Sequence, residues 1–160
     1  MRTLLQRVTQ ARVEVEGAVV AEISAGILVL LGIEQSDSNW DADYLVNKIA
    51  DLRIFDDQHG KMNRSLRETG GQLLIVSQFT LYGDCRKGRR PSFDRAARPE
   101  SAKILYDYFV NQAHATGLTV QSGVFQASML VSLVNDGPVT LLCESDKAKS
   151  LDPASAGRSK

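Results

Sequence analysis

Gly26-Ile27-Leu28-Val29-Leu30-Leu31-Gly32-Ile33 is a short, continuous apolar run, β-branched in part. A strand with one wet face would alternate polar and apolar residues, so this run predicts a strand buried on both faces. Leu73-Leu74-Ile75-Val76, set off by the Gly70-Gly71 break, predicts a second strand of the same kind. Upstream, residues 4–20 alternate loosely, with Val8, Val13, Val15, Val19 and Val20 β-branched, and Glu16-Gly17 suits a turn between two strands.

Between the two buried strands, Ser36-Asp37-Ser38 marks a helix start, and Leu45, Ile49 and Leu52 fall at helical spacing. This predicts an amphipathic helix from Asp41 to about Leu52. Residues 56–67 lack periodicity and read as a loop. Pro99-Glu100 opens a second helix, with Ile104, Leu105, Tyr108, Phe109 and Gln112 marking its faces and Gly117 ending it. Residues 118–124, 127–134 and 139–144 read as three further strands, the last two joined by a turn at Asn135-Asp136-Gly137-Pro138. The order predicts a single mixed α/β domain over residues 1–145, with a curved, barrel-like mixed sheet wrapped around two helices. Residues 146–160, rich in Ser, Ala, Asp and Lys, are expected to form a mobile tail.

Composition narrows the function classes. The 160 residues carry 19 basic and 19 acidic side chains, so any nucleic-acid contact must rest on a local patch. The one local excess of positive charge is Arg86-Lys87-Gly88-Arg89-Arg90, followed by Arg95 and Arg98. Cys85 and Cys143 form no C-x-x-C and have no histidine nearby, which predicts reduced thiols in a cytoplasmic protein with no metal and no cofactor. The first ten residues hold Arg2 and Arg7 but no apolar signal region, and no apolar run approaches the ~18–20 residues a membrane span needs.

Two segments carry chemistry. Ser77-Gln78-Phe79-Thr80-Leu81-Tyr82-Gly83 follows the strand ending at Val76. Hydroxyls and an amide at the end of a buried strand can be held rigidly at a pocket mouth, and turn N–H groups can cradle an oxyanion. Polar residues in that place also serve simply to satisfy a turn. The second segment, Asn135-Asp136-Gly137-Pro138-Val139-Thr140, reads as a hairpin turn on local chemistry alone.

Jointly, these segments resemble the two signature motifs of the D-aminoacyl-tRNA deacylase family, S-Q-x-T-L-Y-G and N-x-G-P-V-T. The resemblance extends to Leu5-Gln6-Arg7-Val8, to Arg53-Ile54-Phe55 and Gly60-Lys61-Met62-Asn63, and to Lys87-Gly88-Arg89-Arg90-Pro91-Ser92-Phe93. It implies an enzyme that hydrolyses D-amino acids and glycine from mischarged tRNA as a homodimer, with active sites at the subunit interface. Gly137-Pro138, as a cis pair, would enter the partner's pocket and fix the substrate α-amino group, flanked by Asn135, Val139 and Thr140. Ser77, Gln78, Phe79 and Thr80 would serve hydrolysis, Phe125 and Met129 would line the adenosine or aminoacyl site, and Arg7, Arg86, Lys87, Arg89 and Arg90 would contact RNA. Two accounts of bond breaking stand open: Thr80 as nucleophile, or water attack assisted by the tRNA ribose hydroxyl with Phe79 and Thr80 N–H groups holding the oxyanion. The second is favoured, because neither His59 nor His114 has a triad-like context and an unpartnered threonine is a weak nucleophile. A non-enzymatic tRNA-binding module and an RNA-independent D-amino acid ester hydrolase are the alternatives.

Overall fold

The computed structural model describes residues 1–145; the expected tail at 146–160 lies outside the described residues. Strands β1 (Arg2–Val15) and β2 (Ala18–Ile23) form the expected hairpin. Its turn residues Glu16 and Gly17 sit at φ 52° and 79°, the left-handed backbone that a two-residue turn between twisted strands requires. Strand β3 (Gly26–Gly32) is the quoted apolar run. It pairs antiparallel with β1 and parallel with a strand over Gln72–Ser77, which pairs parallel with another over Thr119–Ser122. At Gly26 a Cβ would lie 1.9 Å from the Gln72 carbonyl oxygen, so only glycine allows the two backbones to meet there.

Alternation along the two parallel strands serves two cores at once. Ile27, Val29, Leu31, Leu73 and Ile75 face α1 (Asn39–Asp51) and the long helix over Pro99–Ala115, meeting Leu45, Ile49 and Phe109. Leu28, Leu74 and Val76 face the other way and pack with Val8, Val13 and Ile23 inside the curl of the sheet. Burying such a side chain contributes ~1.5–3 kcal/mol, so a strand with neither face wet has no reason to alternate.

Two sequence expectations are corrected. The loop expected over 56–67 contains a small hairpin, β4 (Phe55–Asp56) and β5 (Met62–Arg64), and the four-residue helix α2 (Leu66–Thr69). These elements are too short for periodicity to register. Local bonds hold them instead: Asp57 accepts the N–H groups of His59 and Lys61, and Ser65 and Glu68 form a capping box. With β6 (Gln72–Ser77), α3 (Pro99–Ala115) and β7 (Thr119–Ser122), the sheet is mixed and barrel-like, with two long helices and a third short one.

The second correction concerns the end of the chain. The strands expected over 127–134 and 139–144 are one strand, β8 (Leu130–Glu144), and Asn135–Pro138 is no hairpin turn. β8 runs antiparallel to β1 from Leu130 opposite Glu14 to Glu144 opposite Arg2, with register shifts around Val8. A 14-residue β1 offers one uninterrupted template, so the irregular segment becomes a bulge within the ladder. Leu130, Val134 and Leu142 on this edge strand are exposed. No described helix is long and apolar enough to cross a membrane.

Candidate active site

Where β6 ends, Ser77 lies opposite Leu31 of β3, and the Gln78 N–H donates to the Leu31 carbonyl at 2.8 Å. The chain then tightens into a 3₁₀ turn over Phe79–Tyr82. Leu81 N–H returns to the Gln78 carbonyl at 3.2 Å and Gly83 N–H to the Thr80 carbonyl at 2.9 Å. The N–H groups of Phe79 and Thr80, at the start of the turn, have no intrahelical acceptor and none elsewhere among the described residues. Phe79 and Thr80 are exposed, while Ser77 and Gln78 are half-buried. The Gln78 side-chain amide donates to the Thr80 hydroxyl. That bond orients Thr80 but takes no proton from it.

The far end of the turn is pinned. Tyr82 is buried beneath the guanidiniums of Arg2, 4.8 Å from its ring centre, and Arg95, at 5.4 Å. Burial pushes its phenol well above the usual range. Arg2 Nη1 also donates to the Leu81 carbonyl at 3.1 Å, satisfying an oxygen that the turn leaves open.

Beside the turn opens a cleft of about 630 Å³. Ser77, Gln78, Phe79, Phe125 and Met129 line it, joined by Phe93, Ala102 and Gln126, which no local pattern in the sequence marks for a pocket. Phe93 meets Phe79 edge-on, ring centres 5.1 Å apart. Gly83 leaves room for that contact, since a Cβ there would stand 3.0 Å from the Phe93 ring.

Gly137–Pro138 is elsewhere. The peptide bond is cis, and both residues are exposed. Asn135 pairs with Val8 and Thr140 with Gln6, which places the pair level with Arg7, Ile27 and Leu73. Leu31 and Ser77, at the cleft, lie four residues further along their strands, ~13 Å at the usual rise. Within one chain the two motifs are therefore at opposite ends of the sheet. The bulge is held by Asn135, whose amide donates to the Arg7 carbonyl at 2.8 Å and the Val139 carbonyl at 3.3 Å. Val139 is buried, and Thr140 Oγ1 accepts from Gln6 at 3.3 Å.

Arg7, expected to contact RNA, is bonded within the protein. It is 6% exposed, donates to the Ile54 carbonyl at 2.6 Å and the Asp136 carbonyl at 3.0 Å, and pairs with the Asp136 carboxylate. A guanidinium so engaged holds the bulge in place.

The basic segment projects from the cleft's rim. Asp84 and Ser92 exchange backbone hydrogen bonds of 2.7 and 3.0 Å, closing a narrow loop over the intervening residues. Arg86 folds back on Asp84 through bonds of 2.8 and 2.6 Å, and holds that carboxyl well below the usual range. Lys87, Arg89 and Arg90 are exposed and have no acidic partner among the described residues. His59 and His114 are exposed on the β4–β5 loop and the last turn of α3, away from Thr80.

A family model described as D-Tyr-tRNA(Tyr) deacylase matches residues 4–144. The D-aminoacyl-tRNA deacylase of Koribacter versatilis (strain Ellin345) is 60% identical over 147 residues, 92% of this chain and 99% of its own length. That of Desulfitobacterium hafniense (strain DSM 10664 / DCB-2) is 58% identical over the same shares of both chains. Among solved structures, the c-Myc DNA Unwinding Element Binding Protein superposes with a TM-score of 0.86 at 40% identity, covering 91% of this chain and 99% of that one.

Proposed function

The chain belongs to the D-Tyr-tRNA(Tyr) deacylase family, and on that premise we propose that it hydrolyses the ester joining a D-amino acid, or glycine, to the end of tRNA. The observation that carries this reading is the pair of unpartnered N–H groups at Phe79 and Thr80 on the rim of an apolar cleft. Donors held there by a turn pinned at Tyr82 meet the negative charge that develops on the ester oxygen without having to reorganise. A water oxygen attacks the carbonyl, the bond to the ribose oxygen breaks, and the water's proton passes to that leaving oxygen. The neighbouring ribose hydroxyl assists the transfer. Thr80 is no nucleophile in this scheme: its hydroxyl accepts from Gln78, and no base among the described residues touches it.

Chirality is read by the other motif. Enantiomers are equally hydrophobic, so selection needs fixed points that collide with the wrong hand or leave it unpaired. Gly137–Pro138, clamped by Asn135 and Arg7, supplies backbone carbonyls at such fixed points. Lying ~13 Å of strand from its own cleft, it serves the cleft of a second copy, so that the working unit is a homodimer. Glycine, lacking a Cβ, escapes the same clash. The site of action is the cytoplasm, where charged tRNA is used.

Incubation with D-Tyr-tRNA and with L-Tyr-tRNA tests the whole reading. Release of D-tyrosine alone is expected; equal rates on both, or binding without turnover, would overturn it. Lys87, Arg89 and Arg90 are proposed to lie against acceptor-stem phosphates. Each contact displaces counterions, so Lys87→Ala with Arg89→Ala should flatten the slope of log affinity against log salt by roughly 1–2. An unchanged slope would remove this loop from the RNA interface.

A further inference from the structure

Three residues of α3 are buried, Tyr106, Phe109 and Ala113, at helical spacing. Only Tyr106 brings a polar atom into the core, and a buried hydroxyl must find a partner. It lies 3.0 Å from the Ile75 carbonyl and 3.4 Å from the Gly123 carbonyl. Ile75 stands two residues before Ser77 on β6, and Gly123 opens the segment that leads to Phe125. The Ile75 carbonyl also accepts the Gly123 N–H at 2.9 Å. One hydroxyl thus joins the strand that delivers the catalytic turn to the segment that forms the facing wall.

Beyond the two bonds at Gly123, one turn and the packing of Phe125 hold that segment. Ala127 N–H returns to the Val124 carbonyl at 3.2 Å, closing a turn in which Gln126 takes φ 65°, a left-handed backbone disfavoured for a residue with a side chain. A Cβ at Gly123 would lie 2.7 Å from Met129 Sδ, so Met129 would have to shift to admit one. The Phe125 ring leans on the Tyr106 ring, centres 5.5 Å apart and planes 45° to each other.

We propose that Tyr106 is a positioning residue: its hydroxyl anchors residues 123–127 so that Phe125 presents a ring face to the terminal purine of the tRNA. This rests on the proposed function, and it assigns Tyr106 to substrate affinity and leaves bond breaking to the turn. Burial raises the phenol to about 12, so the hydroxyl keeps its proton, and the anchor holds, throughout the neutral range.

Tyr106→Phe keeps the ring and its volume and deletes only the hydroxyl. The expected result is a KM for D-Tyr-tRNA raised ~5–10-fold, the worth of one hydrogen bond, with kcat within about twofold and no pH dependence of the difference. Hydrogen exchange should quicken at the amides of 123–127 and stay unchanged in β3 and β6. Phe125→Leu should raise KM similarly, and the double variant should be no worse than Phe125→Leu alone, because both act through one ring. An unaltered KM in Tyr106→Phe, effects that multiply in the double variant, or a fall in kcat that tracks lost thermal stability would each overturn the proposal. If the wild-type protein failed to hydrolyse D-Tyr-tRNA, the proposed function would fall by itself. Unchanged exchange at 123–127 would still overturn the anchor.

Discussion

Replacing Phe79 with proline will lower kcat for D-Tyr-tRNA by ~10²–10³, while Phe79→Ala will cost less than about tenfold. Proline at the first position of a helical turn removes an N–H that the turn does not use, and its fixed φ suits that position. The N–H of Phe79 has no acceptor among the described residues, so the fold loses no hydrogen bond by the change. What is lost is one of the two donors proposed to hold the oxyanion. Alanine keeps that donor and removes the ring, together with its edge contact to Phe93. The side chain is 56% exposed, so neither substitution opens a buried cavity. The difference between the two variants isolates the backbone group. Equal losses in both would mean that the ring matters and the N–H does not. Thr80→Ala belongs in the same series and should retain substantial activity. A dead Thr80→Ala with intact tRNA binding, together with a trapped acyl-threonine, would reinstate Thr80 as the nucleophile.

Mixing two inactive variants should restore about a quarter of wild-type activity, and this result would locate the second half of the site. Phe79→Pro disables the cleft. Gly137→Val disables the bulge: a Cβ at Gly137 already stands 3.0 Å from Asn135 Oδ1, and a branched side chain would push that clamp away from the Arg7 carbonyl. A displacement of an ångström at a positioning group costs on the order of 10²-fold, so each parent should be nearly inert. Random reassortment makes half the dimers mixed. Each mixed dimer holds one site with both parts intact and one with neither. Within a single chain, Gly137–Pro138 and Ser77 are separated by four residues of strand, ~13 Å, and no rotamer spans that. Should the mixture show only the sum of its parents, the two motifs would not be shared between copies.

The sheet's centre was legible in the sequence because β3 and β6 are buried on both faces, and unbroken apolar runs are how such burial is written. The α1 and α3 periodicities were legible for the related reason that one face of each helix is wet. The Glu16–Gly17 turn was legible because only a few residue types tolerate a left-handed backbone. By contrast, β4, β5 and α2 fell below the length at which a period can be counted, although the Ser65–Glu68 spacing of a capping box stood in plain view.

The site divides along the same line. The sequence by itself determined which residues are chemically equipped: the polar turn after Val76, the Asn-Asp-Gly-Pro segment, and the basic stretch from Arg86 to Arg90. Only the tertiary structure decided where each of them lies and what it touches. Asn135–Pro138 has the composition of a hairpin turn, but a continuous β1 pairs with the chain on both sides of it, so it stays in the strand as a bulge. The resemblance implies an RNA contact for Arg7, and in the fold its guanidinium is bonded to Ile54 and Asp136. Ala102, Phe93 and Gln126 become walls of the cleft because α3 and the segments around it meet there. A side chain's own exposure leaves a local trace, since water acts on it residue by residue. Which distant backbone comes to lie beside it depends on the path of the whole chain, and no window of sequence contains that path.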